Sequence, residues 1–124
     1  MPSVRILLVE DNEVFRDALE LLLGMRTDVE IVASVGDGAA AVSAAVEHQP
    51  DVVLMDYRMP GMDGIQATTQ VVEALPGVAV VALTASADAA ERDALVEAGA
   101  VACLTKDQEL EEIVAAILDA AAVA

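Results

Sequence analysis

Residues 52–64 read Val-Val-Leu-Met-Asp-Tyr-Arg-Met-Pro-Gly-Met-Asp-Gly, an apolar run that ends in an acid and passes through a Pro-Gly turn. The uninterrupted run Asp51–Met55 has the pattern of a strand covered on both faces, because a strand with one wet face alternates polar and apolar residues. Gly64–Leu75 then carries apolar residues at helical spacing, so the whole stretch reads as strand, loop and helix. Working outward, the same unit recurs on both sides. Short runs at Val4–Val9, Val29–Ser34, Val78–Leu83 and Val101–Leu104 alternate with amphipathic segments at Glu13–Gly24, Ala39–His48, Asp88–Ala98 and Leu110–Val123. In the first of these helices Phe15, Leu19 and Leu22 recur at helical spacing, and Gly24 offers a stop. In the last, Leu110, Ile113, Val114, Ile117 and Leu118 form a stripe, with Glu109, Glu111 and Glu112 near the first turn, where the helix dipole favours anions.

Five strand–helix units in strict alternation predict an α/β fold, because right-handed crossovers lay the helices on both faces of one parallel sheet. The expected arrangement is a flavodoxin-like (βα)5, doubly wound five-stranded parallel sheet with strand order 2-1-3-4-5. At 124 residues the chain reads as one domain, 1–124, with no linker, repeat or low-complexity segment; Ala120 to Ala124 is a frayed helix tip or the start of a connection in a longer chain. A hydrophobic content of 56% excludes a disordered chain. The charge balance is more unusual, with 22 acidic residues against 6 basic ones and a net charge of −16. Such a segment lacks the cations that phosphate contacts need, so direct nucleic acid binding is not expected. Aromatic residues, 2% of the chain, offer no stacking platform for bases. Cys103 is the single cysteine, which points to a reducing, cytoplasmic setting. Val4–Val9 is interrupted by Arg5 and followed by Glu10-Asp11, and no run nears the ~18 apolar residues of a membrane span, so neither a signal peptide nor a membrane partner is expected. Of the six cations only one, Lys106, is a lysine.

In an open parallel sheet ligands bind beyond the carboxyl ends of the strands. Glu10 and Asp11 follow the first run, Asp56 the third, Thr84 the fourth, and Lys106 lies just past the fifth. The second contributes only Gly36-Asp37-Gly38, which reads as a turn. Taken singly, each residue has a plainer reading: Asp11 or Asn12 as a helix cap, Asp56 as a turn residue, Thr84 as a strand or helix boundary, Lys106 as a solvated charge. Together they place three carboxylates, a hydroxyl and the lone lysine on one edge. Each close carboxylate pair costs about 1 to 4 kcal/mol, so something positive must compensate. Mg²⁺ suits an all-oxygen site of this kind, and Lys106 can offset the remaining charge and pair with an anion bound to the metal. A carboxylate beside a metal and a lysine is placed to attack a phosphorus centre.

Ile6–Asn12 (ILLVEDN), Val52–Gly64 (VVLMDYRMPGMDG), Val80–Ala85 (VVALTA) and Gly99–Lys106 (GAVACLTK) occur in the order and spacing that make the chain resemble a response-regulator receiver domain of two-component signalling. The DYRMPGMDG wording and Asp107 after Lys106, where Pro is common, are similar to the receivers that precede a LuxR-type helix-turn-helix. The resemblance implies that Asp56 accepts a phosphoryl group from a sensor histidine kinase in a Mg²⁺-dependent, self-catalysed reaction, followed by slow autodephosphorylation. It implies that Asp11 and Asp56 ligate Mg²⁺, that Glu10 acts through water or assists, and that the backbone carbonyl of Arg58 completes the protein ligands. Thr84 would hydrogen-bond the phosphoryl oxygen and Lys106 would pair with it. Arg58 and Ser86 occupy the two variable positions that tune hydrolysis. The responding face would comprise the fourth helix, fifth strand and fifth helix, controlling a homodimer or a C-terminal DNA-binding output domain, with transcription as the regulated process. Cys103 stands where the family usually has Tyr or Phe, so the aromatic half of the usual switch is missing; it reads as a small buried hydrophobe ahead of a redox group.

Other classes fit less well. A phosphohydrolase with an aspartyl phosphate intermediate typically has a second acid two residues after the nucleophile, where this chain has Arg58. A flavodoxin-like cofactor binder would want aromatic residues and a Gly-rich phosphate loop. A receiver acting only as an interaction module would not need Glu10, Asp11, Asp56, Thr84 and Lys106 together. His48 reads as a cation at a helix C-terminus, and Tyr57 as a shield of the site or a packing residue.

Overall fold

Valine, isoleucine, leucine and alanine fill the five strands of the computed structural model, which describes residues 3–59, 61–85 and 88–123. In chain order the elements are β1 (Val4–Val9), α1 (Glu13–Gly24), β2 (Val29–Val35), α2 (Gly38–His48), β3 (Val52–Asp56), α3 (Gly64–Ala74), β4 (Ala79–Thr84), α4 (Ala89–Ala98), β5 (Ala100–Thr105) and α5 (Leu110–Val123). All strand pairs are parallel and the sheet order is β2-β1-β3-β4-β5, as the alternation predicts. β3 and β4 are buried at every position, whereas the edge strands β2 and β5 are mostly half-buried, so the burial profile follows the sheet order. No helix among the described residues is long and apolar enough to cross a membrane.

Side-chain alternation along the strands divides the interior into two layers. Ile6, Leu8, Leu54, Val81 and Leu83 face Leu19 and Leu23 of α1 and Ile113, Val114 and Ile117 of α5. Leu7, Val9, Val53, Met55, Val80 and Ala82 face the other helices through Ala41, Ala45, Ala67, Val71 and Leu95. Each fully buried Val, Leu or Ile contributes about 1.5 to 3 kcal/mol, which makes this continuous packing the main stabilising contribution.

The element boundaries differ from the sequence reading in ways that matter for the edge of the sheet. Asp56 and Thr84, expected just past their strands, occupy the last ladder positions, paired with Leu83 and Thr105. The ladder extends because the following backbone stays engaged: Lys106 N–H donates to the Thr84 carbonyl at 2.8 Å, and Gly64 N–H to the Tyr57 carbonyl at 2.7 Å. Asn12, not Asp11, caps α1, its side chain accepting from Phe15 N–H at 3.0 Å. Asp37 in the Gly-Asp-Gly turn also caps α2, accepting from Ala40 N–H at 2.8 Å. His48 lies in the last turn of α2 as expected, with Nε2 3.8 Å from Glu47.

Gly64 shows how closely the start of α3 approaches the end of β3. A Cβ there would lie 2.3 Å from the Asp56 carbonyl oxygen and 2.7 Å from Tyr57 Cα, both backbone atoms that cannot swing aside. Gly64→Ala is therefore expected to cost about 1–3 kcal/mol in urea denaturation, as overpacking of a fixed backbone does. Gly24→Ala, with nothing within 4 Å of the added methyl, should leave stability unchanged or slightly raised.

Candidate functional site

The carboxyl end of β1 delivers Glu10 into the protein, and the carboxyl end of β3 delivers Asp56 beside it. Only 1% of Glu10 and 4% of Asp56 is exposed, which places two acids where their charge is costly. Glu10 is held through several atoms: its N–H donates to the Val35 carbonyl at 3.0 Å, and its Oε2 accepts from Asn12 N–H at 3.0 Å. Its Oε1 lies 2.7 Å from Lys106 Nζ, which also reaches Asp56 Oδ1 at 3.4 Å. The same ammonium sits 4.9 Å from the centre of the Phe15 ring, adding a cation–π contact. Asp11 is exposed, yet ligand oxygens of Glu10, Asp11 and Asp56 all lie within 4.8 Å of one another. Thr84 is buried at the adjacent strand end.

Electrostatics give this cluster a sign. Burial and the adjoining carboxyl groups of Asp11 and Glu10 push the Asp56 carboxyl up to about 8, against an opposing pull from Lys106. Burial pulls the Lys106 ammonium down, but its hydrogen bond with Glu10 and the charges of Asp56 and Glu10 outweigh that, so its pKa is raised. One lysine therefore does not neutralise three acids. Asp56 Oδ2 is buried without a hydrogen-bond partner, an acceptor aimed into a cluster short of positive charge. An all-oxygen donor set with an orphaned carboxylate oxygen fits a small hard divalent cation such as Mg²⁺.

Next to these acids opens a cavity of about 530 Å³ lined by Asp11, Tyr57, Arg58, Met59 and Asp63. Arg58 lines it while its guanidinium turns toward α4, 2.9 Å from Glu91 Oε1 and 5.8 Å from the centre of the Tyr57 ring. Tyr57 itself packs against the second core layer. Ser86 and Pro60 lie outside the described residues. Cys103 is half-buried against that layer with Sγ 4.0 Å from the Arg92 carbonyl, and burial pushes its thiol up, as for a packing residue with no thiolate character.

The structure thus brings together Glu10, Asp11, Asp56, Thr84 and Lys106 at one sheet edge. Sequence reasoning missed Phe15 as the apolar neighbour of the Lys106 ammonium and Glu91 as the partner of Arg58. Phe15 carried a signal, being one of only two aromatic residues and four positions after Asp11. Glu91 carried none, since it is one acid among many in a polar helix.

Residues 6–118 match the family described as the response regulator receiver domain. The transcriptional regulatory protein LiaR of Bacillus subtilis is 40% identical over 114 residues, covering 92% of this chain and 54% of LiaR. LnrK of the same organism is 35% identical over 115 residues, covering 93% of this chain and 52% of LnrK. The chain spans about half the length of these relatives. Among solved structures, the signal receiver domain of NarL from Mycobacterium tuberculosis superposes with a TM-score of 0.92 at 36% identity, covering 98% of both chains. A LuxR-family two-component response regulator from Aurantimonas gives 0.93 at 30% identity, covering 98% of this chain and 87% of that one.

The raised Asp56 pKa predicts a pH dependence for the metal-free protein. The folded carboxyl holds its proton up to about pH 8, whereas the unfolded one releases it near 3.8. Between those values the folded state binds more protons than the unfolded state, so stability falls as pH rises through the window. Asp56→Asn, which resembles the protonated group, should melt several degrees above wild type at pH 8 in EDTA and differ little from it near pH 4. Thermal unfolding across that range checks both the sign and the window.

Proposed function

We propose that this chain, which belongs to the response regulator receiver domain family, is a phosphorylation switch whose phospho-acceptor is Asp56. The observation that carries the reading is the pair of buried acids, Glu10 and Asp56, sharing the single ammonium of Lys106 at 2.7 and 3.4 Å beside an exposed Asp11. Asp11 and Asp56, with Glu10 through water and the Arg58 carbonyl, are the residues that would hold Mg²⁺. When bound, the cation would supply the positive charge that keeps the acids ionised and screens the incoming phosphoryl oxygens.

The chain's own groups then have defined tasks. An Asp56 carboxylate oxygen forms the new O–P bond as the N–P bond to the kinase's histidine breaks, leaving the electron pair on the imidazole nitrogen. Lys106, already within reach of Asp56, pairs with a phosphoryl oxygen, and the Thr84 hydroxyl donates to another. Glu10, held by Lys106 and Asn12, keeps the negative end of the site in place while these partners rearrange. Adding phosphoryl charge at Asp56 draws Thr84 and Lys106 toward it and shifts an existing equilibrium. The shift would reach the face formed by α4, β5 and α5. Cys103 gives that face no ring to turn, so the proposed route runs through the segment after Thr84 and α4.

A sensor histidine kinase is the proposed donor, and a homodimer or a C-terminal DNA-binding output domain the proposed recipient of the signal, in a cytoplasmic regulator of transcription. The relatives named as transcriptional regulators support this reading of the output. With a net charge of −16, any DNA contact belongs to a separate, more basic domain.

With acetyl phosphate and Mg²⁺ the wild type should incorporate up to one phosphoryl group per chain, and Asp56→Asn none. Phos-tag electrophoresis or intact mass reads the result; equal labelling of the variant overturns the assignment of Asp56. Beryllofluoride, a phosphoryl mimic, should shift the wild type toward a dimer in size-exclusion chromatography and leave Asp56→Asn unshifted.

A further inference from the structure

Glu10 is held through its N–H and both carboxylate oxygens, and its backbone carbonyl oxygen also accepts a hydrogen bond from Arg16 Nη1 at 3.0 Å. Arg16 lies in the first turn of α1, its own N–H donating to the Asn12 carbonyl at 2.9 Å. Formation of that turn therefore returns the guanidinium onto the strand end that precedes it. We propose that Arg16 is a positioning residue for the cation site, fixing the peptide between Glu10 and Asp11 so that both carboxylates point at one centre. The proposal rests on reading the acidic cluster as a divalent-cation site.

A second, independent feature points the same way. Gly36, just after β2, sits so close that a Cβ there would be 2.7 Å from Arg16 Nη1. Gly36 is not among the positive-φ residues, so what it supplies is room for the guanidinium, not an unusual backbone conformation. The turn reading of Gly36-Asp37-Gly38 does not explain this glycine: Asp37 caps α2, and Gly38 abuts Met62. Gly36 makes a pocket for Arg16.

The arrangement matters most for Asp11. Glu10 is buried and bonded at several atoms, whereas Asp11 is exposed, so where its carboxylate sits depends on how its backbone leaves the strand. A hydrogen bond from a charged donor is stronger than a neutral one and suits this task. Partners that orient ligands from outside typically change metal affinity about 10- to 100-fold when removed. Simple charge predicts the opposite sign: a cation near a cation site repels the ion, so deleting its charge alone would tighten binding. Positioning and charge are thus separable by direction.

The test is Mg²⁺ titration by calorimetry at fixed ionic strength, on wild type, Arg16→Met and Gly36→Ala, with melting in EDTA recorded for each. Arg16→Met should weaken Mg²⁺ binding about tenfold. Gly36→Ala, which keeps the arginine charge and displaces only its end, should weaken binding in the same direction while still folding. In ¹⁵N–¹H spectra of the metal-free proteins the Asp11 amide should move in both variants. Unchanged or tighter Mg²⁺ binding by Arg16→Met overturns the proposal, as does wild-type affinity in Gly36→Ala; if Arg16→Met fails to fold, Gly36→Ala decides alone. Failure of the wild type itself to bind Mg²⁺ overturns instead the reading of the cluster as a cation site.

Discussion

The contact on which the acidic end of this sheet depends is the Lys106 ammonium lodged between Glu10 and Asp56. Two ionised acids at the ends of neighbouring buried strands would repel at about 1 to 4 kcal/mol per close pair, which Lys106 offsets and a proton on Asp56 relieves further in the metal-free protein. The topology makes the contact possible. With order β2-β1-β3-β4-β5, the strand leading into Glu10 and the strand ending in Asp56 are adjacent, and β5 leads into Lys106 from the far side, its backbone pinned to Thr84. A lysine suits the position, because a flexible stem can reach two carboxylates as a point charge. The lone lysine among six cations is thus accounted for by geometry.

Lys106 leaves the cluster incompletely neutralised, and that residual imbalance gives the site its chemistry. Asp56 prefers a proton in the metal-free protein and keeps one oxygen without a partner. A group in that condition responds strongly to any cation or phosphoryl group placed beside it, because little else satisfies it. Stability and function pull against each other at this edge: the packing behind it, from Leu54 and Met55 to Val81 and Leu83, is continuous enough to hold two buried acids in place. A charge imbalance of this kind is sustained by a scaffold that over-determines it.

The fold, and the gathering of the five candidate residues at one end of the sheet, were legible in the sequence because each left a periodic or positional trace. Apolar runs of strand length marked β1 to β5, and the rule for open parallel sheets directed attention to the residues at their ends. Boundaries were less legible. Whether Asp56 and Thr84 end a strand or follow it depends on hydrogen bonds made by Lys106 and Gly64, residues distant in sequence or beyond a loop. The contacts of Arg16, Phe15 and Glu91 left weak traces or none, because a guanidinium on a backbone carbonyl, a ring beside an ammonium and an ion pair across 33 positions arise only once the chain is folded. Gly36 sits between these cases: its presence was visible, but its purpose as room for Arg16 required the structure.

The unequal burial of the helices bears on how a change at Asp56 would travel. α1, α2 and α3 each bury two or more residues, whereas α4 buries only Leu95 along its length. An element with so little buried apolar area is the one whose displacement costs least, since local stability follows local packing. α4 is also joined to the loop after β3 through Arg58 and Glu91, and the second Glu91 oxygen is buried without a partner, so the acid depends on that arginine. Arg58 would therefore belong to both ends of the proposed switch, with its backbone at the proposed cation site and its side chain on the most weakly anchored helix. A phosphoryl group at Asp56 adds negative charge two residues from Arg58 and competes with Glu91 for its guanidinium. Even with Cys103 in place of a ring, the Arg58–Glu91 pair would give the proposed acceptor an electrostatic link to α4, a helix anchored by one buried residue.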